Sequence, residues 1–323
     1  MRKNIFLKAT LLAILINTLV ACTAFQPAEQ PMEPIRVEFR QWWGDYTLVV
    51  AQERGYFEKY GVDVELMYYD VFSDTYPDLA SGQIDAALIP VGDIININRN
   101  AEMKVLAISD DGGFMSIVAS PEINAIQDLK GKSVGVQAGS QYELMIAEML
   151  QSANMNTGDV TVMAINPENT AQALKNNQVQ AVFSWEPFLS QAISDGNKVL
   201  YPTDSSLRLF PDMLVFRKSI TEQRPDEIRA FLQAWFEAVD YRLQNPELAR
   251  QLIADYFGVS IEEIQPDDSL KILTLEDNKT FFNLQNENSV YTITQRTSDY
   301  LISIGAVTQQ VDPLELLDPT YLP

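Results

Sequence analysis

Short segments of the chain alternate apolar and polar positions and are separated by helical patterns. The segment IRVEFRQ, residues 35–41, alternates with a period of two and predicts a half-buried β-strand. YTLVVAQERGYF predicts a helix that stops at Gly55. VDVEL alternates again, and IDAALIP and MKVLAIS are short apolar segments typical of buried strands. Strands that alternate with helices predict an α/β fold with much parallel pairing.

The same order of elements occurs a second time. KSVGVQ, DVTVMAI and VQAVFSW predict strands, and SQYELMIAEML and PENTAQALKNNQ predict the helices between them. Residues 83–87 and 178–182 hold equivalent places in the two copies, 95 residues apart. Two copies of one β-α-β-α-β pattern predict two similar lobes.

Two apolar segments connect the copies, FMSIVAS at 114–120 and DMLVFRKS at 212–219. They predict crossover strands that form a hinge and leave a cleft between the lobes. The last third of the chain predicts helices that pack on the first lobe. We therefore expect lobe 1 to comprise 35–113 and 218–323, and lobe 2 to comprise 114–217 including the crossover strands.

The N-terminal segment has the features of a secretory signal. Three basic residues precede an apolar run that is too short to span a membrane. The run ends in Leu-Val-Ala-Cys, which resembles a bacterial lipoprotein box, and Cys22 is the one cysteine in 323 residues. We expect a signal peptide at 1–21, lipidation at Cys22 and a flexible tether at 22–34; an ordinary signal peptide with an incidental cysteine is the alternative.

Composition excludes several function classes. The net charge is −21, and it becomes −24 when 1–21 are removed with their three basic residues. Such a surface disfavours nucleic acid and anionic lipid headgroups. The chain contains no histidine, which excludes Ser-His-Asp triads and most zinc sites. Neither a phosphate-binding glycine loop nor carboxylates with metal-site spacing occur, so we expect no cofactor and no metal.

Candidate ligand-binding residues follow the predicted strands. In open α/β sheets, ligands bind beyond the carboxyl ends of the strands. The residues at such positions, with one group at the entry to the first crossover, are Trp42, Trp43, Asp45, Gly92, Asp93, Asp111, Ser140, Gln141, Trp185 and Glu186. Each carboxylate and Ser140 could equally cap a helix, and a strand directs adjacent residues to opposite faces. We therefore expect at least one of Trp42 and Trp43 to line a pocket.

The candidate residues suggest a division of roles. The turn before Ser140 offers backbone N–H groups at a helix N-terminus, which suit an anion. Asp45, Asp93, Asp111 and Glu186 could accept an N–H of a ligand. A tryptophan ring could stack on a flat or cationic group.

Four motifs resemble one known family. VVAQERGYFEKYGVDVEL, LASGQIDAALIPVGD, INAIQDLKGKSVGV and VQAVFSWEPF occur in the order and spacing of the SsuA/THI5-like, or NMT1-like, solute-binding proteins of ABC importers. The resemblance covers about residues 35–219. It implies a type II periplasmic-binding-protein fold with two α/β lobes, two crossover strands, and closure around a small molecule. It also implies ligand contacts at Trp42, Asp45, Gly92, Ser140, Trp185 and Glu186.

This resemblance implies a lipid-anchored, monomeric, extracytoplasmic receptor that delivers a ligand to a permease and its ATPase. A taurine-like sulfonate and a pyrimidine both fit, and the residues do not choose between them. The alternatives are a pyrimidine-synthase-like or lyase enzyme on the same fold, and a sensor that reports the ligand to a signalling partner. Some eukaryotic members of the wider group use an active-site histidine, which this chain lacks. Many relatives carry an Ala-Asp pair where this chain has Gly113-Phe114.

Overall fold

Two five-stranded sheets form the framework of the computed structural model, which describes residues 33–71, 74–113, 115–186, 188–202, 210–266 and 270–323. The strands are β1 (Ile35–Phe39), β2 (Val64–Tyr68), β3 (Ala86–Pro90), β4 (Met103–Ile108), β5 (Met115–Ala119), β6 (Ser133–Val136), β7 (Thr161–Ala164), β8 (Ala181–Trp185), β9 (Lys198–Pro202) and β10 (Asp212–Arg217). The first sheet has the order β2-β1-β3-β10-β4 and the second has the order β7-β6-β8-β5-β9. The repeated element order therefore corresponds to two sheets of the same topology.

The helices between the strands follow the predicted alternation. They are α1 (Tyr46–Glu53), α2 (Tyr56–Tyr60), α3 (Thr75–Ser81), α4 (Val91–Asn98), α5 (Tyr142–Ser152), α6 (Thr170–Lys175), α7 (Phe188–Ser194), α8 (Lys218–Gln223), α9 (Pro225–Gln244), α10 (Pro246–Phe257), α11 (Leu275–Phe281), α12 (Val290–Ser303) and α13 (Pro313–Leu316). Glycines in the left-handed region follow α2 at Gly61, α3 at Gly82 and α10 at Gly258. This is the usual helix stop, because glycine adopts that conformation without Cβ strain.

The two crossover strands are exchanged between the sheets. β5 follows β4 in the chain but lies between β8 and β9, antiparallel to both. β10 follows β9 but lies between β3 and β4, again antiparallel to both. The boundary expected at residue 217 therefore needs correction, since 212–217 form the fourth strand of the first sheet and do not belong to lobe 2.

Both faces of the first sheet are covered. Leu88, Leu214 and Phe216 pack with α1, α9 and α10 on one face, while Ile89 and Val215 pack with α4, α11 and α12 on the other. This arrangement agrees with the expectation that the C-terminal helices pack on the first lobe. The second sheet packs on α5 on one face and on α6 and α7 on the other.

β1 is not the half-buried strand that its alternation predicts. Ile35, Val37 and Phe39 enter the core, but Glu38 is also fully buried and Arg40 is 9 % exposed. Parallel strands covered on both faces have no solvent side, so the charged residues of β1 must find partners inside the protein.

The expected signal peptide, the lipidation site Cys22 and nearly all of the tether lie outside the described residues, so these expectations stay predictions. Within the described ranges, no helix combines the length and apolar character that crossing a bilayer requires. From Ile35 to Pro323 the chain forms one compact unit.

Candidate ligand-binding site

A cavity of about 350 Å³ lies between the two sheets, at the edge where the parallel strands have their carboxyl ends. Its lining comes from both lobes: Arg40, Gln41, Trp42, Tyr68, Tyr69, Asp70, Val71, Pro90, Met115, Tyr142, Pro167, Glu168, Trp185, Glu186, Phe188 and Asp212. Its size and its position beyond the strand ends are those of a small-molecule site.

Each crossover strand contributes its first residue to the cavity. Asp212 begins β10 and pairs with Pro90 at the end of β3. Met115 begins β5 and pairs with Trp185 at the end of β8. Because β5 and β10 run antiparallel to their neighbours, their N-terminal ends lie at the ligand-binding edge. Both crossover strands were predicted from the sequence. Their first residues, however, were not considered as candidate ligand-binding residues.

Aromatic side chains line the cavity from both lobes. Trp42, Tyr68 and Tyr69 come from the first lobe, and Tyr142, Trp185 and Phe188 come from the second. The rings of Tyr142 and Trp185 are 5.0 Å apart at 40°, and Tyr142 stacks on Phe183 at 5.0 Å and 21°. Stacked, buried rings have little rotamer freedom, so the second-lobe wall is held in place before a ligand arrives.

Arg40 lies at the floor of the cavity and is held by three carboxylates. Its Nε is 3.0 Å from both Glu38 and Asp45, and its Nη2 is 3.7 Å from Asp212. Nη2 also donates to the carbonyl of Leu88, and the backbone N–H of Arg40 donates to Asp45 at 2.9 Å. These contacts fix the guanidinium group and satisfy most of its donors.

Burial changes the titration of the carboxyl groups around Arg40. It raises the pKa of Glu38 to about 7, against the opposing effect of Arg40. Burial, and then the negative charge of Asp110, raise the pKa of Asp212 well above its usual value. Burial also raises the pKa of Asp45 against the effect of Arg40. The floor of the cavity therefore holds a charge that depends on pH near neutrality.

A second arginine lies behind the loop after β1. Arg242 donates to the hydroxyl of Thr47 at 2.6 Å and to the carbonyl of Trp43 at 2.8 Å. Burial lowers its pKa to about 10, although the charge of Asp110 acts in the other direction. Burial raises the pKa of Asp110 to about 7. Arg242 thus ties α9 to the loop that carries Trp42.

Three of the sequence candidates line the cavity: Trp42, Trp185 and Glu186. Glu186 also accepts from the hydroxyl of Ser190 at 2.9 Å and from its backbone N–H at 3.2 Å. Trp42 is close to Gly44, where a Cβ would lie 3.0 Å from Trp42 Nε1 and 2.1 Å from Asp110 Oδ2. Any side chain at Gly44 would displace both groups.

Two candidates lie away from the cavity. Trp43 packs edge-on against Tyr46, and its ring centre is 4.7 Å from the Arg242 guanidinium carbon. Asp111 accepts from the backbone N–H of Lys271 at 2.9 Å and joins the first crossover to that loop. Both side chains are engaged elsewhere and neither residue lines the cavity, so their expected ligand contact stays a prediction.

Two carboxylates lie behind the cavity lining. Asp45 is fully buried and contacts Arg40, so it positions this cation and does not reach the cavity itself. Asp93 is 4 % exposed on α4, and burial raises its pKa to about 6. Neither residue lines the cavity, so direct ligand contact by Asp45 or Asp93 stays a prediction.

Gly92 and Gln141 form a contact between the lobes, and Ser140 lies next to it. The Gly92 N–H donates to Gln141 Oε1 at 2.8 Å, and the nearby Asn96 side chain donates to the Gly139 carbonyl at 3.4 Å. The hydroxyl of Ser140 donates to the Gln137 carbonyl at 2.7 Å. Gly92 and Gln141 therefore join the two lobes, Ser140 is bonded within its own lobe, and none of the three candidates lines the cavity.

The expected anion site before α5 is occupied by the protein's own side chains. The Gly139 N–H donates to Glu143 at 2.6 Å, and the Tyr142 N–H donates to the Ser140 hydroxyl at 3.3 Å. These two donors are satisfied without a ligand, but Ser140 is not the helix cap, since Gln141 holds the N-cap position of α5 and its side chain makes no capping hydrogen bond.

Sequence reasoning missed several lining residues. Arg40 was taken as part of the solvent face of β1, and Asp212 and Met115 as parts of hinge strands. The end of β2 was not considered, although it supplies Tyr68, Tyr69 and Asp70 by the strand-end rule applied elsewhere. No pattern distinguished Tyr142 and Glu168 from ordinary residues of a helix and a loop.

The chain belongs to the NMT1/THI5-like family, whose sequence model matches residues 46–249. This confirms the resemblance seen in the four motifs. A protein of Bacillus subtilis (strain 168), provisionally named as an aliphatic sulfonates-binding protein, is 24 % identical over 284 residues, covering 85 % of this chain and 83 % of its own.

Solved structures show the same fold. The periplasmic aliphatic sulphonate binding protein SsuA of Escherichia coli superposes with a TM-score of 0.69 at 18 % identity, covering 88 % of this chain and 91 % of its own. The desulfurization enzyme DSZB superposes with a TM-score of 0.64 at 15 % identity, covering 90 % and 98 %. The two-lobed fold expected from the sequence is confirmed.

Proposed function

We propose that this protein is the extracytoplasmic solute-binding receptor of an ABC importer. The observation that carries the proposal is the cavity of about 350 Å³ enclosed by aromatic side chains of both lobes, with a crossover strand starting on each side. Membership of the NMT1/THI5-like family and the names of the sulfonate-binding relatives support it.

Capture of the ligand follows from the two crossover strands. A small rotation about β5 and β10 separates Trp42 and Arg40 on one lobe from Tyr142 and Trp185 on the other. A ligand that contacts both walls stabilises the closed arrangement and is shielded from solvent. The closed surface is then recognised by a permease, and its ATPase drives release.

The predicted N-terminal features complete the proposal. Removal of 1–21 and lipidation of Cys22 would anchor a monomeric receptor at the outer face of a membrane, with 22–34 as the tether. The membrane contact is limited to this anchor, and the partners are a small-molecule ligand, a permease and an ATPase.

The ligand is a small polar organic molecule. The sulfonate-binding names of the relatives favour a sulfonate or taurine-like compound, whereas the aromatic walls with acidic residues favour a flat molecule with N–H groups, such as a pyrimidine. Both are therefore included in the experiment below.

An enzyme is the second candidate, because DSZB shares the fold. The sequence contains no histidine and a single cysteine, which leaves carboxylates, tyrosines and lysines for catalysis. Recovery of every bound compound unchanged after prolonged incubation supports a receptor. A sensor that reports the ligand to a signalling partner would bind equally well but would not support uptake in a reconstituted transport assay.

The test is a thermal-shift screen of the soluble form that begins at Thr23, with sulfonates, taurine, pyrimidines, flavins, amides and simple anions. A ligand at about 100 times its dissociation constant stabilises the bound form by about 2.7 kcal/mol, which raises the Tm visibly. The shift should be lost in Trp185→Ala and kept in Asp111→Asn, whose position lies away from the cavity. A shift unaffected by Trp185→Ala would count against this cavity as the binding site.

A further inference from the structure

The charges that line the cavity are mainly negative. Within the described part of the chain, the lining contains one cationic side chain, that of Arg40, and the carboxylates of Asp70, Glu168, Glu186 and Asp212. Arg40 already contacts Glu38 and Asp45 at 3.0 Å each. An anion placed against Arg40 would therefore meet more negative than positive charge.

The negative excess continues beneath the lining. We call the interacting buried groups the buried charge cluster; among the described residues they are the cations Arg40 and Arg242 and the carboxyl groups of Glu38, Asp45, Asp93, Asp110 and Asp212, each at most 9 % exposed. Five carboxyl groups thus face two guanidinium groups. Burial raises the pKa of Glu38 and Asp110 to about 7, of Asp93 to about 6 and of Asp212 well above its usual value, so part of this charge is masked by protons.

Asp212 connects the buried charge cluster to the cavity. Its carboxylate lines the cavity, and its ion-pair distance to Arg40 is 3.7 Å, longer than the 3.0 Å contacts of Glu38 and Asp45 with the same guanidinium. The charged groups that interact with it are Arg40 from β1, Asp45 from the loop after β1, Asp93 from α4 and Asp110 after β4. The Tyr142 hydroxyl on α5 also interacts with it.

The walls of the cavity suit a flat cation. The rings of Trp42 and Trp185 line the cavity from the two lobes, and aromatic faces attract cations, most strongly where water is excluded. The anion site expected before α5 loses two of its backbone donors, because Gly139 N–H is bound by Glu143 and Tyr142 N–H by Ser140. The described residues contain no group of three or more His, Cys, Asp and Glu side chains arranged to hold a metal ion.

We infer that the cavity binds a small, flat organic cation, an aromatic amine or amidine in its protonated form, whose N–H groups donate to Asp212 and whose ring lies between Trp42 and Trp185. This assignment rests on the proposed receptor function and narrows its ligand class. It separates this chain from the sulfonate-binding relatives, whose ligands carry the opposite charge.

Three molecules of nearly one shape test the sign of the charge: benzamidinium, neutral benzamide and anionic benzoate, with benzenesulfonate as a second anion. Each is titrated calorimetrically into the soluble form that begins at Thr23, at pH 7. Benzamidinium should bind at least tenfold more tightly than benzamide, and the two anions more weakly than either.

The proton balance gives a second measurement that needs no variant. A cation near the buried charge cluster lowers the pKa of its carboxyl groups, so binding releases protons; an anion raises the pKa, so binding takes protons up. Calorimetric titration in two buffers with different ionisation enthalpies distinguishes proton release from proton uptake. We expect proton release with benzamidinium.

The variants localise the effect. Asp212→Asn should weaken benzamidinium binding at least tenfold while leaving benzamide binding nearly unchanged. Asp111→Asn is the matched control, because Asp111 lies away from the cavity and asparagine keeps its acceptor oxygen. If Asp212→Asn does not fold, the ligand series and the proton balance still decide the question.

The outcomes separate this inference from the proposed function. Tighter binding of benzoate or benzenesulfonate than of benzamidinium, or proton uptake on binding, would overturn the cation assignment and leave a receptor for anions. Binding of Ca²⁺ or Zn²⁺ that competes with benzamidinium binding would also overturn it, in favour of a metal receptor. Absence of binding by all these probes and by the whole thermal-shift screen would reject both proposals.

Discussion

Trp42 and Trp43 are adjacent in the sequence but face different parts of the molecule: Trp42 lines the cavity, while Trp43 lies against Arg242 with its ring centre 4.7 Å from the guanidinium carbon. β1 ends at Phe39, so both residues lie in the loop before α1, and the path of this loop directs their side chains to different places. The pair provides two variants of the same residue type with different expected effects.

Trp42→Ala should weaken ligand binding, whereas Trp43→Ala should not. Loss of one aromatic contact with a flat or cationic ligand corresponds to about 0.5–2 kcal/mol, or roughly 2- to 30-fold in Kd. Trp43→Ala should instead lower stability, since it removes the Arg242 contact. Calorimetric titration and urea unfolding of both variants check this, and equal losses of affinity would contradict the assignment of Trp42 to the cavity.

Asp45 should be important for stability. It accepts from the side chain and the backbone N–H of Arg40, and both residues are buried. Removal of one partner of a buried ion pair leaves a charge uncompensated, so Asp45→Ala should lower the free energy of unfolding by about 3–5 kcal/mol. Urea denaturation followed by circular dichroism measures it. Asp70→Ala, at an exposed carboxylate, is the control and should change stability by no more than about 0.5 kcal/mol; similar losses in both would argue against the role of Asp45.

Stability should fall as the pH rises from about 5 to 7. Burial raises the pKa of Glu38 and Asp110 to about 7, so the folded state keeps protons that the unfolded chain has lost near its ordinary pKa. Since the folded state binds more protons in this window, the free energy of unfolding decreases with pH by roughly 1–3 kcal/mol for each group. The decrease levels off above pH 7.

Urea unfolding at several pH values tests this slope. Glu38→Gln should remove the contribution of Glu38 to this pH dependence, because glutamine does not titrate. Asp128→Asn is the control, since hydrogen bonds from the backbone of Asn124 and Ala125 lower the pKa of Asp128 and its contribution is lost only at more acidic pH. An increase in the free energy of unfolding of the wild-type protein between pH 5 and 7 would refute the prediction.

Gly92→Ala should weaken the contact between the lobes. A Cβ at this position would lie 2.8 Å from Gln141 Oε1 and 2.9 Å from Gln141 Cβ, so Gln141 must move and its hydrogen bond from the Gly92 N–H is lost. We expect about tenfold weaker ligand binding, equivalent to about 1.4 kcal/mol, and a larger radius of gyration by small-angle scattering. Asn96→Ala, which removes a longer bond of 3.4 Å without adding an atom, should have a smaller effect. An unchanged radius and affinity in Gly92→Ala would show that closure does not need this contact.

The sequence predicted the two-lobed fold well, because short strands with period-two or apolar patterns alternate with helices in the same order twice. The cavity lies beyond the strand ends, where the rule for open α/β sheets places a ligand. Single positions were harder to assign: whether Trp42 or Trp43 reaches the cavity depends on the path of the loop after β1, which no periodicity specifies.

Burial of charge was the main feature that the pattern concealed. Arg36, Glu38 and Arg40 looked like the solvent face of β1, since polar residues at alternate positions are typical of exposed sides. Arg36 pairs with Asp85, and Arg40 pairs with Glu38, Asp45 and Asp212; of these partners, Asp85 and Asp212 come from distant parts of the chain. Only the assembled sheet brings them together, so a local pattern cannot reveal that these charges are paired and not hydrated.

The exchange of β5 and β10 also determines the order in which the protein can assemble. The strands of the second sheet, β5 to β9, form one uninterrupted stretch, 115–202, whereas the first sheet lacks the strand between β3 and β4 until residues 212–217 have been made. Strand pairings between residues far apart in the sequence form late, because closing the long loop costs entropy before the new contacts are made. The lobe that begins the chain is therefore the last to be completed. Until β10 has been added, β3 and β4 have unpaired edges, which in a nascent or translocating chain are exposed to pairing with other strands.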